Sequence, residues 1–134
     1  MNHFHLLYVD VNCEILAPFL EAEACKFNFE ILYCSSIKEG LSTAETYKSI
    51  LNGILLDVNI DNQTEKKFEL MRFVDEQIPY IPVFLLADDK DTDFEATLDG
   101  MRAGACDCII RNNLDIHLLF KNFSYYADQL NETR

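Results

Sequence analysis

The chain has 134 residues, 11 of them basic and 23 acidic, and its net charge of −12 excludes a general nucleic-acid surface, which needs clustered Lys and Arg to meet phosphates. Apolar and charged contents of 49% and 25% are those of an ordinary soluble globular protein, long enough to bury the core of one domain. No apolar run is long enough to span a bilayer, and Met1-Asn2-His3-Phe4-His5 lacks the basic-then-apolar signal pattern, so a cytoplasmic protein without a membrane partner is expected.

Strand and helix patterns alternate along the chain. Residues 4–9 read as a strand, and Ile15, Leu16, Phe19, Leu20 and Phe27 then recur at helical spacing, with Pro18 an awkward tenant that could kink the helix. Residues 29–34 form a second strand, and Ser36 with Glu39 is a capping-box signature that opens a second helix. Asn52-Gly53 reads as the turn into a third strand, 54–57. A polar loop covers 59–66, and Phe68, Leu70, Met71, Phe73 and Val74 predict a third helix that ends before Pro79. Residues 82–87 are a fourth strand that starts on a proline. Thr92 with Glu95 is a second capping box, opening a helix that reaches about Ala103, where Gly104 fits the C-terminal cap. Residues 108–110 are the fifth strand, and Leu114, Leu118, Leu119, Phe123 and Tyr126 give a last amphipathic helix. The domain is expected over 1–130, with 131–134 a polar tail and the possible start of a linker, as in an isolated domain or an excised fragment.

Five strands that are apolar almost throughout must be covered on both faces, so the sheet is expected to be parallel with helices on either side. Right-handed crossovers leave few topologies for such a chain. The expected fold is α/β and flavodoxin-like, a doubly wound (βα)5 domain with strand order 2-1-3-4-5.

Two of the apolar runs stop at a carboxylate: Phe4-His5-Leu6-Leu7-Tyr8-Val9-Asp10 and Gly53-Ile54-Leu55-Leu56-Asp57. Each delivers an acid to the carboxyl edge of the sheet, where open α/β folds build their sites. The five cysteines are odd in number and lack a framework spacing, which fits reduced thiols. Cys106-Asp107-Cys108 has neither a second Cys pair nor a well-placed His to make a metal site. His3 and His5 would share one strand face, but no third ligand lies near them in sequence, so they read as surface or edge residues.

The segments Leu7-Tyr8-Val9-Asp10, Ile54-Leu55-Leu56-Asp57, 82–87 and 104–111, in this order and at these separations, resemble the receiver domain of bacterial two-component response regulators. The resemblance covers nearly the whole chain. It implies that Asp57 holds the position of the aspartate that takes a phosphoryl group from a histidine kinase or phosphotransfer protein. It also implies that Asp10, Asp57 and the backbone carbonyl of Asn59 stand where that family holds Mg²⁺, and that Arg111 falls at the position of a phosphate-contacting lysine.

The chain departs from the family pattern repeatedly. The second metal-binding acid falls on Val11, the hydroxyl position on Ala87, the switching aromatic on Cys108, and a common proline on Asn112. The loop after Asp57, Val58-Asn59-Ile60-Asp61-Asn62-Gln63, lacks Met-Pro and is about two residues longer than is common. Mg²⁺, which prefers several oxygen ligands in octahedral geometry, should bind weakly or not at all. The loop acids Asp61, Asp88 and Asp89 could compensate, although Asp89 reads better as a turn residue.

Two functions follow from the resemblance. One is a non-enzymatic receiver of a phosphorelay, with Asp57 as input and a degenerate pocket. The other is a pseudo-receiver, a phosphorylation-independent interaction or dimerisation module. Its docking face, also the route to a homodimer, would be the fourth helix, fifth strand and fifth helix, where Phe120, Phe123, Tyr125 and Tyr126 supply aromatic surface. A flavin-binding flavodoxin is the weakest reading, because Val11-Asn12-Cys13-Glu14 is no phosphate-cradling loop.

Overall fold

The computed structural model describes residues 3–60, 64–89 and 91–133. Strands β1 (Phe4–Val9), β2 (Phe29–Cys34), β3 (Leu51–Asp57), β4 (Val83–Ala87) and β5 (Asp107–Ile110) alternate with helices α1 (Cys13–Phe27), α2 (Ile37–Tyr47), α3 (Thr64–Gln77), α4 (Phe94–Arg102) and α5 (Ile116–Thr133). All four strand pairings are parallel, and the order is β2-β1-β3-β4-β5, as expected.

Period-two alternation divides the sheet's side chains between two cores. Leu6, Tyr8, Leu55, Phe84 and Leu86 meet α1 and α5, and this core is rich in rings: Phe29, Phe120 and Phe123 fill it. Leu7, Val9, Ile54, Leu56 and Leu85 meet α2 and α3 in a largely aliphatic core. The site edge is therefore carried on β1 and β3, two central strands whose residues are almost all buried.

Several expected boundaries shift: α3 begins at Thr64, inside the expected polar loop 59–66, β4 begins at Val83 rather than Pro82, and β5 begins at Asp107 rather than Cys108. Asn52-Gly53 is not a turn but part of β3, and the turn lies at residues 48–50. Asn52 is the extra residue of a bulge against β1, and its side-chain Oδ1 accepts the His5 backbone N–H at 2.8 Å. Gly53 is required there because a Cβ would lie 2.7 Å from the Phe123 ring. The box at the start of α4 also fails: the cap position is Asp93, not Thr92, and Asp93 turns its carboxylate to the Asp88 and Asp89 amides of its own loop and to Asn59 after β3. The last helix begins at Ile116, after a 3-10 turn over Arg111–Asn113, with Asp115 Oδ1 accepting from the Leu118 amide at 3.0 Å.

Other expectations hold. Ser36 Oγ accepts from the Glu39 amide at 3.1 Å, closing the box that opens α2. Gly104 follows α4 with φ at +115°, a conformation that favours glycine. α1 continues through Pro18 from Cys13 to Phe27 and ends on Asn28 in the left-handed region.

Candidate functional site

β1 and β3 place Asp10 and Asp57 side by side at the carboxyl edge. Asp10 is fully buried and Asp57 is 7% exposed. A buried carboxylate is costly unless donors surround it, and Asp10 is surrounded. Its Oδ2 accepts from the Tyr8 hydroxyl at 2.5 Å and from Arg111 Nη2 at 2.9 Å, while its Oδ1 accepts from the Asn12 amide at 3.0 Å. Burial pushes the Asp10 pKa up, but these donors together outweigh it and hold the carboxyl below its usual range.

Asp57 has the opposite balance. Among the described residues one donor, the Asn59 amide, reaches its Oδ1 at 3.0 Å. Burial dominates, the negative Asp10 beside it adds to the effect, and the pKa is pushed up to about 6. Asp57 therefore takes up a proton at a higher pH than an ordinary aspartate, while Asp10 stays ionised. The two acids share one edge but shift in opposite directions from the ordinary carboxylate.

Arg111, just after β5, is the cation that joins the edge together. Its Nη2 lies on Asp10 and its Nε on Asp88 Oδ1 at 2.7 Å. Asp88 thus serves as the arginine's outer partner. Asp89 accepts from the Asp91 and Thr92 amides at 2.7 and 3.1 Å, the turn role expected of it. Asp61 lies outside the described residues.

The substituted positions are equally clear. Val11 is 53% exposed and offers the pocket no side-chain ligand. Ala87 is fully buried and presents a methyl group. Cys108 turns its thiol toward Thr97 Oγ1 at 3.7 Å. All five cysteines are free.

Two participants were not singled out from sequence. Tyr8 lies two residues before Asp10 on one strand, so period two sends both side chains the same way. That spacing is the signal that could have found it. Asp93 accepts from Asn59 Nδ2 at 3.1 Å and from the Asp88 and Asp89 amides at 2.8 and 3.0 Å, tying the loops after β3 and β4 together. Nothing in its spacing marked it beyond a place near a helix start.

The donor set fits Mg²⁺ poorly as it stands. Both Asp10 oxygens are engaged by protein donors, and Val11 supplies no oxygen from its side chain. A hard cation demanding near-octahedral oxygen ligation would have to displace Arg111 from Asp10.

A five-stranded doubly wound sheet with two acids and a cation at its carboxyl edge defines a class by shape, and solved structures share that shape. The fold is that of response regulator receiver domains. A CheY-like receiver domain protein from Methanospirillum hungatei JF-1 superposes with a TM-score of 0.77 at 16% identity, over 99% of this chain and 100% of that one. A receiver domain protein from Clostridium thermocellum gives 0.78 at 16% identity, over 98% and 99%. The receiver domain of a sensor histidine kinase from Pseudomonas aeruginosa PAO1, with a magnesium ion coordinated in its active-site cleft, gives 0.74 at 16% identity, over 95% and 99%. No protein-family model matches the sequence, and no curated protein matches it.

Proposed function

We propose that the chain is a receiver-type signalling domain of a two-component phosphorelay, with Asp57 as the phosphoacceptor and a histidine kinase or phosphotransfer protein as its donor. The observation that carries this reading is the buried Asp10–Asp57 pair, with Arg111 beside it, at the carboxyl edge of a receiver fold. The domain is non-enzymatic in the usual sense. It acts in the cytoplasm, and none of its described helices is long and apolar enough to cross a membrane.

Phosphorylation would add about −1.5 to −2 charges beside Asp10. Arg111, seated on the neighbouring Asp10, is the cation among the described residues placed to answer that charge, and its planar guanidinium suits phosphoryl oxygens. Drawing it toward Asp57 would loosen its bonds to Asp10 and Asp88, so the resting ion pairs are the state that input disturbs. Mg²⁺ binding is weak, because the same arginine competes for Asp10. The metal positions are Asp10, Asp57 and the Asn59 carbonyl.

A pseudo-receiver is the second reading, favoured by Ala87 and Cys108, which leave no hydroxyl to engage a phosphoryl group and no ring to follow it. Its contact face would be α4, β5 and α5. Phe120 and Phe123 do not belong to that surface, since both are fully buried against the sheet. Among the described residues of these elements, the exposed apolar groups are Phe94, Leu98, Met101, Leu118, Tyr125 and Tyr126.

Intact-mass spectrometry after incubation with acetyl phosphate, with and without Mg²⁺, separates the two. The receiver reading expects a phosphoryl adduct that disappears in Asp57→Ala. An unmodified mass, while an ordinary receiver treated alongside is labelled, would leave only the interaction module.

A further inference from the structure

We propose that the opposite, amino-terminal edge of the sheet carries a second site, in which His3, His5 and Glu30 bind a divalent first-row transition ion of the zinc class. The proposal is independent of the phosphorelay reading. His5 lies about 16 Å along the strand direction from Asp10, at about 3.3 Å per residue.

The site is built by strand geometry. Residues two apart on a strand point to one face, so His3 and His5, flanking Phe4, project together. The parallel register sets Glu30 of β2 directly beside His5. The third ligand that is missing nearby in sequence is thus supplied across the ladder.

The distances suit an ion. His3 Nε2 and His5 Nε2 lie 3.2 and 3.3 Å from the same Glu30 Oε2. Bonds of about 2.0–2.1 Å to a tetrahedral zinc separate neighbouring ligand atoms by about 3.3 Å. All three ligand atoms lie within 4.8 Å of one another, so small side-chain rotations close the third edge. Two imidazoles and one carboxylate are a borderline donor set, which selects Zn²⁺, Cu²⁺ or Ni²⁺ over the oxygen-seeking Mg²⁺ and Ca²⁺.

The outer contacts set the strength. His3 Nδ1 faces Asn28 Oδ1 at 3.4 Å, the partner that directs the Nε2 lone pair toward a metal. Asn28 is itself fixed, since its carbonyl accepts from the Phe4 amide at 3.0 Å. His5 Nδ1 is buried with no hydrogen-bond partner among the described residues, so the second imidazole lacks this support. Micromolar affinity is expected rather than the tighter binding of a fully supported site. The exposure of His3 and Glu30 leaves a coordination position open to water.

The test uses the tag-free chain, stripped of metal with a chelator and titrated with Zn²⁺ by calorimetry. One ion per chain is expected, insensitive to millimolar Mg²⁺, with affinity falling at least about tenfold in both His3→Ala and Glu30→Gln. Both side chains are largely exposed, so neither change threatens the fold. Co²⁺ should give visible bands without thiolate charge transfer. Binding unchanged in the two variants, a thiolate band pointing to Cys106 and Cys108, or no stoichiometric binding would each overturn the proposal.

Discussion

The carboxyl edge has two unlike halves. On the β1–β3 side every residue of β3 is buried, and Asp10 and Asp57 sit at the ends of strands locked between two cores. On the β4–β5 side, β5 is four residues long and partly exposed, and its helix α4 leaves Phe94 uncovered. Among the described side chains at this edge two reach across: Arg111 pairs with Asp10, and Asn59 Nδ2 donates to Asp93 Oδ1. The acids that would receive a charge are held stiffly, while the half that would relay it has a methyl at Ala87 and a thiol at Cys108. Coupling between the halves therefore runs through an amide and a guanidinium, and the guanidinium alone brings charge to Asp10.

Removing that link should give the largest effect. Arg111→Ala leaves Asp10 buried with only Tyr8 and the Asn12 amide, and breaking buried pairs costs about 3–5 kcal/mol. Arg111 is partly exposed and two donors remain, so a loss of about 2–4 kcal/mol in urea unfolding at neutral pH is expected. A loss within about 0.5 kcal/mol, the range of ordinary surface changes, would mean the halves are not joined through Arg111.

Asp57→Asn should act in the opposite direction. The folded pKa of Asp57 is raised to about 6, above an unfolded value of about 3.9. Its contribution to stability is therefore complete below about pH 3.9 and is lost as pH rises through about 6. The neutral asparagine avoids that loss, so the variant should be more stable by about 2 kcal/mol near pH 7.5, with the advantage gone near pH 4. Asp10, whose pKa is lowered, contributes with the reverse sign: present above its unfolded value and lost as pH falls through its depressed one. Unfolding curves of wild type and variant between pH 4 and 7.5 separate the two acids. A gain independent of pH would mean that Asp57 is not strained by burial.

The deep half was the more legible in sequence. Uninterrupted apolar runs ending in Asp10 and Asp57 announce buried parallel strands, because such strands must satisfy cores on both faces. Asn52-Gly53 misled for a physical reason: a glycine that makes room for a ring from a distant helix looks, locally, like a glycine that makes a turn. Asp93 was hidden because it joins the start of its own loop, at the Asp88 and Asp89 amides, to Asn59 in the loop after β3. Glu30 was hidden likewise, since only strand register brings it to His5. Arg111 was visible as a charge, but its choice of Asp10 and Asp88 as partners is tertiary information.

The smallest expected effect decides why Mg²⁺ fits this pocket poorly. Two causes are entangled: the missing acid at Val11 and the arginine already seated on Asp10. Val11 is 53% exposed, so Val11→Asp should change stability without metal by no more than about 0.5 kcal/mol. If the missing oxygen is the main obstacle, the variant should bind Mg²⁺ about tenfold more tightly, read from amide shifts of residues 10, 57 and 88 during titration. If Arg111 is the main obstacle, Val11→Asp alone should gain little, and the double change with Arg111→Ala should gain more than the sum of the two single changes. The second outcome is expected. A new carboxylate beside Asp10 also gives the guanidinium a further anion to hold, so added acid strengthens the occupant along with the competitor. The shallow half of the edge then governs metal access to the deep half, through the guanidinium seated on Asp10.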